Sequence, residues 1–130
     1  MKIVAKKIDV CVEKTSTGYA AFVESMHVYT TAQQIPELYM NLLEALNLAL
    51  EDEGKQVTMD QIKLNLDFKQ FFQFYKVINA NFLAKRIGMN PSLLSQYVRG
   101  KKHPSAKQSE KIIRGVQSIG KELADISLLS

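Results

Sequence analysis

The chain has one cysteine, Cys11, and two histidines, His27 and His103, in 130 residues. A single thiol excludes an internal disulfide and any cysteine-based zinc site. Cys11, His27 and His103 are too few and too scattered for a metal centre, and no helical H-E-x-x-H occurs. No stretch approaches the ~18 consecutive apolar residues that a membrane span requires. Lysines at positions 2, 6 and 7 interrupt the first residues too early for the apolar run of a signal peptide, so the expected location is cytoplasmic. Internal repeats and low-complexity segments are also lacking. What is there suits a soluble globular chain, with 46% apolar and 23% charged residues, and a length for one ordinary domain or two very small ones.

The net charge of +4 conceals a split. Residues 1–60 carry five Lys against nine Asp or Glu, whereas residues 61–130 carry nine Lys and three Arg against four acids. An acidic half joined to a basic half implies two modules with different partners, the basic one favouring a polyanion.

The first third reads as β structure. Ile3 and Ala5 alternate with polar residues, and Ile8, Val10 and Val12 alternate again after a shift of phase at Lys6-Lys7, as a bulge in one long strand would produce. Thr15 to Gly18 is a turn cluster before a β-branched and aromatic run, Tyr19 to Val23, which predicts a hairpin. His27 to Thr31 suits a third strand. Pro36 then opens a helix in which Ile35, Leu38, Leu42, Ala45, Leu46 and Ala49 recur at three- and four-residue steps, with Gly54 beyond its end. Ile62, Leu64 and Leu66 alternate as a short strand. Strands and a helix of this kind predict a small α+β layer over residues 1–60, with residues 61–66 as a connecting strand.

From Asp67 the pattern is wholly helical, and the expected second domain is an all-α, five-helix helix-turn-helix domain over residues 67–130. Asp67 and Gln70 have the spacing of a capping box ahead of a helix Phe68–Ile78, whose aromatics at helical spacing read as core. Asn79 or Asn81 opens a short helix through Ile87, Asn90 with Pro91 opens another to Val98, and Ser105 with Gln108 starts a last helix that can reach Ile126.

The informative segment is Ala80 to Gly100. A helix-turn-helix needs a small residue where the helices cross, a glycine in the turn and an apolar anchor in the second helix. Ala84, Gly88 and Leu94 supply these at the required spacing, Gly88 being able to take the positive φ that a Cβ disfavours. Ser92, Ser95, Gln96 and Arg99 then fall on one polar stripe of the second helix. In a major groove Gln96 can address adenine, the serines base edges or phosphates, and Arg99 phosphate or guanine. Lys101 and Lys102 follow, where flexible cations reach the backbone. Eight Lys or Arg stand against one acid, Glu110, between Ala80 and Gly115.

Phe82-Leu-Ala-Lys-Arg-Ile-Gly-Met-Asn-Pro-Ser-Leu-Leu-Ser-Gln-Tyr-Val-Arg-Gly-Lys-Lys-His-Pro-Ser105 resembles the Cro and phage-repressor (XRE) class of helix-turn-helix. Gly18-Tyr-Ala-Ala-Phe-Val23, ahead of a helix with Pro36-Glu-Leu38 and Leu43-Glu-Ala-Leu46, is similar to the HicB antitoxins. That resemblance implies a degenerate RNase H-like domain which neutralises a small toxin RNase, fused to an operator-binding domain. The chain departs from the HicB pattern at Thr31-Ala32-Gln33-Gln34, where a Thr-x-Gly-x-Thr lead is usual.

A nuclease of RNase H type needs carboxylates clustered around two metals, and Asp9, Glu13 and Glu24 do not supply that cluster. No catalytic residue, metal ligand or cofactor is therefore expected, and the chain reads as a regulator rather than an enzyme. In the last helix Ile112, Val116, Ile119, Leu123 and Ile126 step by four and three, a coiled-coil-like seam. Its outer end, Ile119, Leu123, Ile126 and Leu128, is the expected homodimer interface, because a pseudo-palindromic operator in double-stranded DNA asks for a two-fold protein. The expected function is a HicB-like antitoxin repressing its own promoter, the alternative a plain transcriptional regulator without a toxin.

Overall fold

Alternating apolar residues produce the strands of the first half, although not as one long bulged strand. The computed structural model describes residues 2–4 and 6–128. In it β1 (Lys2–Ile3) and β2 (Ile8–Thr15) are separate strands in different sheets. β3 (Gly18–Val23) returns antiparallel to β2 across a two-residue turn, Ser16-Thr17, and β4 (Val28–Ala32) is antiparallel to β3. β4 starts one residue later than the alternation suggests. His27 closes a short 3-10 turn at φ 53°, donating its N–H to the Glu24 carbonyl at 3.2 Å. After α1 (Ile35–Leu50), β5 (Lys55–Gln56) pairs in parallel with β1. β6 (Ile62–Leu66) then adds to the other side of β2, also in parallel, for a sheet order β4-β3-β2-β6.

The packing follows from the period of each element. α1 buries Leu38, Leu42, Leu46 and Leu50 at four-residue steps. They meet Val10, Val12, Ala21, Val23, Val28 and Ala32 from alternate positions of the sheet. Each fully buried leucine contributes roughly 1.5–3 kcal/mol, so this helix-on-sheet layer is the main core of the first half. Gly18 makes the hairpin possible by close approach: a Cβ there would overlap the Ala32 carbonyl, at φ 153°. Asn47 on α1 holds the loop after β5 with both ends of its amide. Its Oδ1 accepts from Val57 N at 2.7 Å, and its Nδ2 donates to Val57 O at 3.3 Å. Gln61 ties the start of β6 to the other end of the chain by donating from Nε2 to the Val4 carbonyl.

The helical half differs from expectation at its start. α2 (Phe68–Phe74) ends four residues short of Ile78. Only half of the predicted capping box forms, with Asp67 Oδ1 accepting from Gln70 N at 3.1 Å. The Gln70 side chain turns instead to β2, its Oε1 accepting from Lys14 N at 2.9 Å and its Nε2 donating to Lys14 O at 2.8 Å. β6 pairs with β2 as far as Val12, so the Gln70 amide continues the edge that β6 has left. Phe68, Phe71 and Phe72 are buried, the last two rings in edge-on contact at 5.3 Å. By its packing α2 belongs to a first unit, residues 1–74, and the second unit spans residues 75–130.

Among the described residues four α-helices follow Leu66, one fewer than expected, and three of them form the second unit. These are α3 (Ala80–Ile87), α4 (Pro91–Val98) and α5 (Ala106–Ala124). The fold is thus α+β, a strand-rich αβ unit followed by an all-α one. No helix among the described residues is long and apolar enough to cross a membrane.

Candidate nucleic-acid interface

The second unit is built around the α3–α4 turn. Asn79, rather than Asn81, caps α3, its Oδ1 accepting from Phe82 N at 3.1 Å. Gly88 ends the helix at φ 71° and ψ 31°, and Met89 N donates back to the Ala84 carbonyl at 2.9 Å. This left-handed cap reverses the chain within three residues. Asn90 Oδ1 then accepts from Ser92 N at 2.8 Å, with Pro91 at the first helical position of α4. Ala84 and Leu94 are fully buried, as are Leu83 to 1% and Tyr97 to 7% exposure. Of the three residues picked out by spacing, Ala84 and Leu94 lie in the core and Gly88 stands at positive φ. α5 closes on α3 at Gly115, where a Cβ would overlap Ile87 Cγ2 and stand 3.2 Å from Leu83 Cδ1.

Ser92 and Arg99 are exposed on α4, whereas Ser95 and Gln96 are half-buried. Arg99 lies back along its own helix, donating from Nε to the Ser95 carbonyl at 3.4 Å. Gln96 departs from a freely presented reader: its Oε1 is shut away from solvent without a hydrogen-bond partner. Its main-chain carbonyl accepts from Lys101 N at 2.9 Å and Lys102 N at 3.3 Å, after Gly100 at φ 74°. That tight exit delivers both lysines, exposed, directly after the helix. Ser105 Oγ accepts from Gln108 N at 3.2 Å and so begins α5 where the capping pattern placed it.

An open groove between the end of α3 and the first turns of α5 was not foreseen. It is lined by Arg86, Lys107, Lys111 and Arg114 among others. Arg86 is paired with Glu122 and Arg114 with Glu110, the latter at 2.6 Å, whereas Lys107 and Lys111, also exposed, form no ion pair among the described residues. Their four-residue spacing on α5 was the available signal. The expected dimer residues lie where the seam leaves the core: Ile119 is half-buried, and Leu123 is exposed on the last turn. Because α5 stops at Ala124, Ile126 and Leu128 lie beyond the helix, exposed.

Among the described residues no group of three or more His, Cys, Asp or Glu could hold a metal. Burial, followed by the nearby carboxylates of Asp67 and Glu13, pushes the Cys11 thiol up to about 11, which makes it a poor nucleophile. No curated protein and no solved structure gave a match to this chain. Residues 78–117, under a third of the chain, match a family model described as helix-turn-helix, the kind of domain that DNA-binding transcription regulators carry.

Proposed function

We propose that this protein is a sequence-specific DNA-binding regulator that acts as a homodimer on a pseudo-palindromic operator. The observation that carries the reading is the α3–Gly88–α4 geometry, with Ser92, Ser95, Gln96 and Arg99 along α4 and Lys101 and Lys102 at its exit. In this reading α4 enters the major groove, Ser92 and Gln96 address base edges, and the lysines hold phosphates. The unpaired Gln96 oxygen belongs to a side chain one hydrogen bond short, a deficit that rotation toward an adenine edge removes. Binding-site selection on random duplexes tests this. An enriched two-fold motif with half-sites one turn apart, about 34 Å, is the expected result, and the absence of any enriched motif overturns it.

The first unit is proposed as the partner-binding part of a cytoplasmic HicB-like antitoxin, which neutralises a small toxin RNase and represses its own promoter. What supports this is the sequence resemblance together with a charge opposite to that of the DNA-binding half. α1 and the turn after it carry Glu37, Glu44, Glu51, Asp52 and Glu53 and no base, a surface suited to a cationic protein and unsuited to nucleic acid. Thr31-Ala32-Gln33-Gln34, in place of the usual lead into the helix, favours the second reading, a plain regulator whose first unit has another role. Co-expression with the product of a short neighbouring reading frame separates the two: rescue of growth from a toxic neighbour supports the antitoxin, and a harmless neighbour supports the plain regulator.

A further inference from the structure

The second unit carries an apolar surface that its helix-turn-helix does not use. Along α5 the seam leaves the interior by degrees. Ile112 is fully buried, Val116 and Ile119 are half-buried, and Leu123 and Ile126 are 63% and 67% exposed. Beside this line stand Ile113, partly exposed, and Gly120, above which a side chain would meet open space. By helical periodicity the cations Lys107, Arg114 and Lys121 fall on the opposite side of α5 with Lys111 on its flank, and Glu122, which borders the stripe beside Ile119 and Ile126, is neutralised by its pairing with Arg86. The stripe is therefore apolar and uncharged. It offers nothing to a polyanion and no charge that would select a basic or acidic partner. What fits it is the same stripe on a second copy, across the two-fold axis that a palindromic operator also demands.

The way α5 ends gives that surface a further property. Residues 121–128 hold no proline and no glycine, so no residue there forces the helix to stop. Asp125 caps it in a right-handed conformation, without the left-handed residue that closes α3. Two local features weaken the end: Gly120 lowers helix propensity, and Asp125 sets a negative charge at the negative pole of the helix. Residues 120–128 are all exposed. Helical stability in proteins comes mainly from a packed face, and this end has none.

Resting on the dimer reading above, we infer that the end of α5 folds onto a second copy of this chain. Two α5 helices pair through Val116, Gly120, Leu123 and Ile126, and pairing extends each helix past Asp125 so that Ile126 joins the seam. Three or four side chains from each copy make a small interface, which places dissociation in the range of about 1–100 μM. Dimer formation and helix growth are then one event.

The experiment uses the full chain without DNA, from well below to well above the dissociation constant. Sedimentation reports the dimer, circular dichroism at 222 nm the helix, and amide hydrogen exchange the protection of residues 126–128. The expected result is that dimer fraction and helicity rise together, by about one turn per chain, as those amides become protected. Leu123→Lys with Ile126→Lys, both at exposed positions, should keep the dilute wild-type spectrum at every concentration. Asp125→Lys, away from the seam, should tighten the dimer about two- to five-fold by relieving the helix pole. A chain that stays monomeric throughout overturns the dimer reading and this inference with it. A dimer whose helicity is constant and whose 126–128 amides stay unprotected overturns the inference alone.

Discussion

Gly88 and Gly115 are glycines for different physical reasons, and substitutions at the two can be told apart. Gly88 sits at φ 71° with no atom within 4 Å of a built Cβ, so a side chain there meets no neighbour. The whole penalty is backbone, about 1–2 kcal/mol for alanine in the left-handed region. A β-branched valine is worse, at roughly 1–3 kcal/mol of strain. Asparagine tolerates that region and should be nearly neutral. Gly115 has no such φ, but its Cβ would overlap Ile87 Cγ2, a branched atom with little room to move. Gly115→Ala gains about 1 kcal/mol of helix propensity. It loses roughly 1–3 kcal/mol to overpacking, so the net is a loss of up to about 2 kcal/mol. Urea denaturation followed at 222 nm should rank Gly88 variants as Asn above Ala above Val. With a slope near ~1 kcal/mol per molar for so small a unit, Gly88→Val should move the midpoint by about 1–3 M. DNA affinity should fall in the same order, because the turn sets the angle at which α4 leaves α3. If Gly88→Val melts and binds as wild type does, or Gly88→Asn is as damaging as Gly88→Val, the turn assignment is wrong.

Replacing Gln96 with Ala should relax preference at one base pair by roughly 1–3 kcal/mol, measured on operator variants carrying each base in turn. Lys101→Ala or Lys102→Ala should instead weaken all sequences alike, and lower the slope of log affinity against log salt by about 0.9 for each phosphate left without its cation. Gln70→Ala leaves both main-chain groups of Lys14 without their partner and should destabilise the first unit by about 1–3 kcal/mol, read as loss of amide protection at residues 12–15. For Cys11, a thiol pushed from 9.0 to about 11 is protonated at pH 8, so alkylation should be about a hundredfold slower than in urea. Its rate should climb with pH up to about 11. The sign for stability is opposite to that of a paired acid: the folded state holds the proton more tightly, so the Cys11 contribution is present below pH 9 and is lost as pH rises through 9 to 11.

The second unit was legible because its determinants are local. Asn79, Gly88, Asn90 and Ser105 each act within four residues of themselves, through a cap or a left-handed turn. Ala84 and Leu94 follow from the period of short helices joined by that turn. Side-chain presentation was not legible at the same level. Periodicity put Gln96 on the outward stripe, yet its long side chain folds so that Oε1 is sealed, a rotamer choice that spacing does not encode. The Lys107 and Lys111 groove was missed for a related reason: the sequence counts charges, whereas the groove depends on which helix ends lie side by side.

The first unit shows where local reading stops. Its hairpin and α1 were visible in alternation and in four-residue steps, but its closure depends on amides acting over long separations. Gln70 reaches Lys14, 56 residues away, and the pairing of β1 with β5 joins segments more than 50 residues apart. A glutamine three residues after an aspartate is chemically able to do two things: reach back to cap its own helix, or reach across to a strand edge. The first costs little chain entropy and is the reading that spacing supports. The second wins because the edge of β2 beyond Val12 would otherwise hold an unpaired N–H and carbonyl at Lys14 beside a buried aromatic helix. An unpaired, partly buried main-chain group costs more than a solvent-facing half of a capping box. The same choice moves the division of the chain from Asp67 to Phe74, since a helix held by β2 through two hydrogen bonds and three buried phenylalanines packs with the sheet.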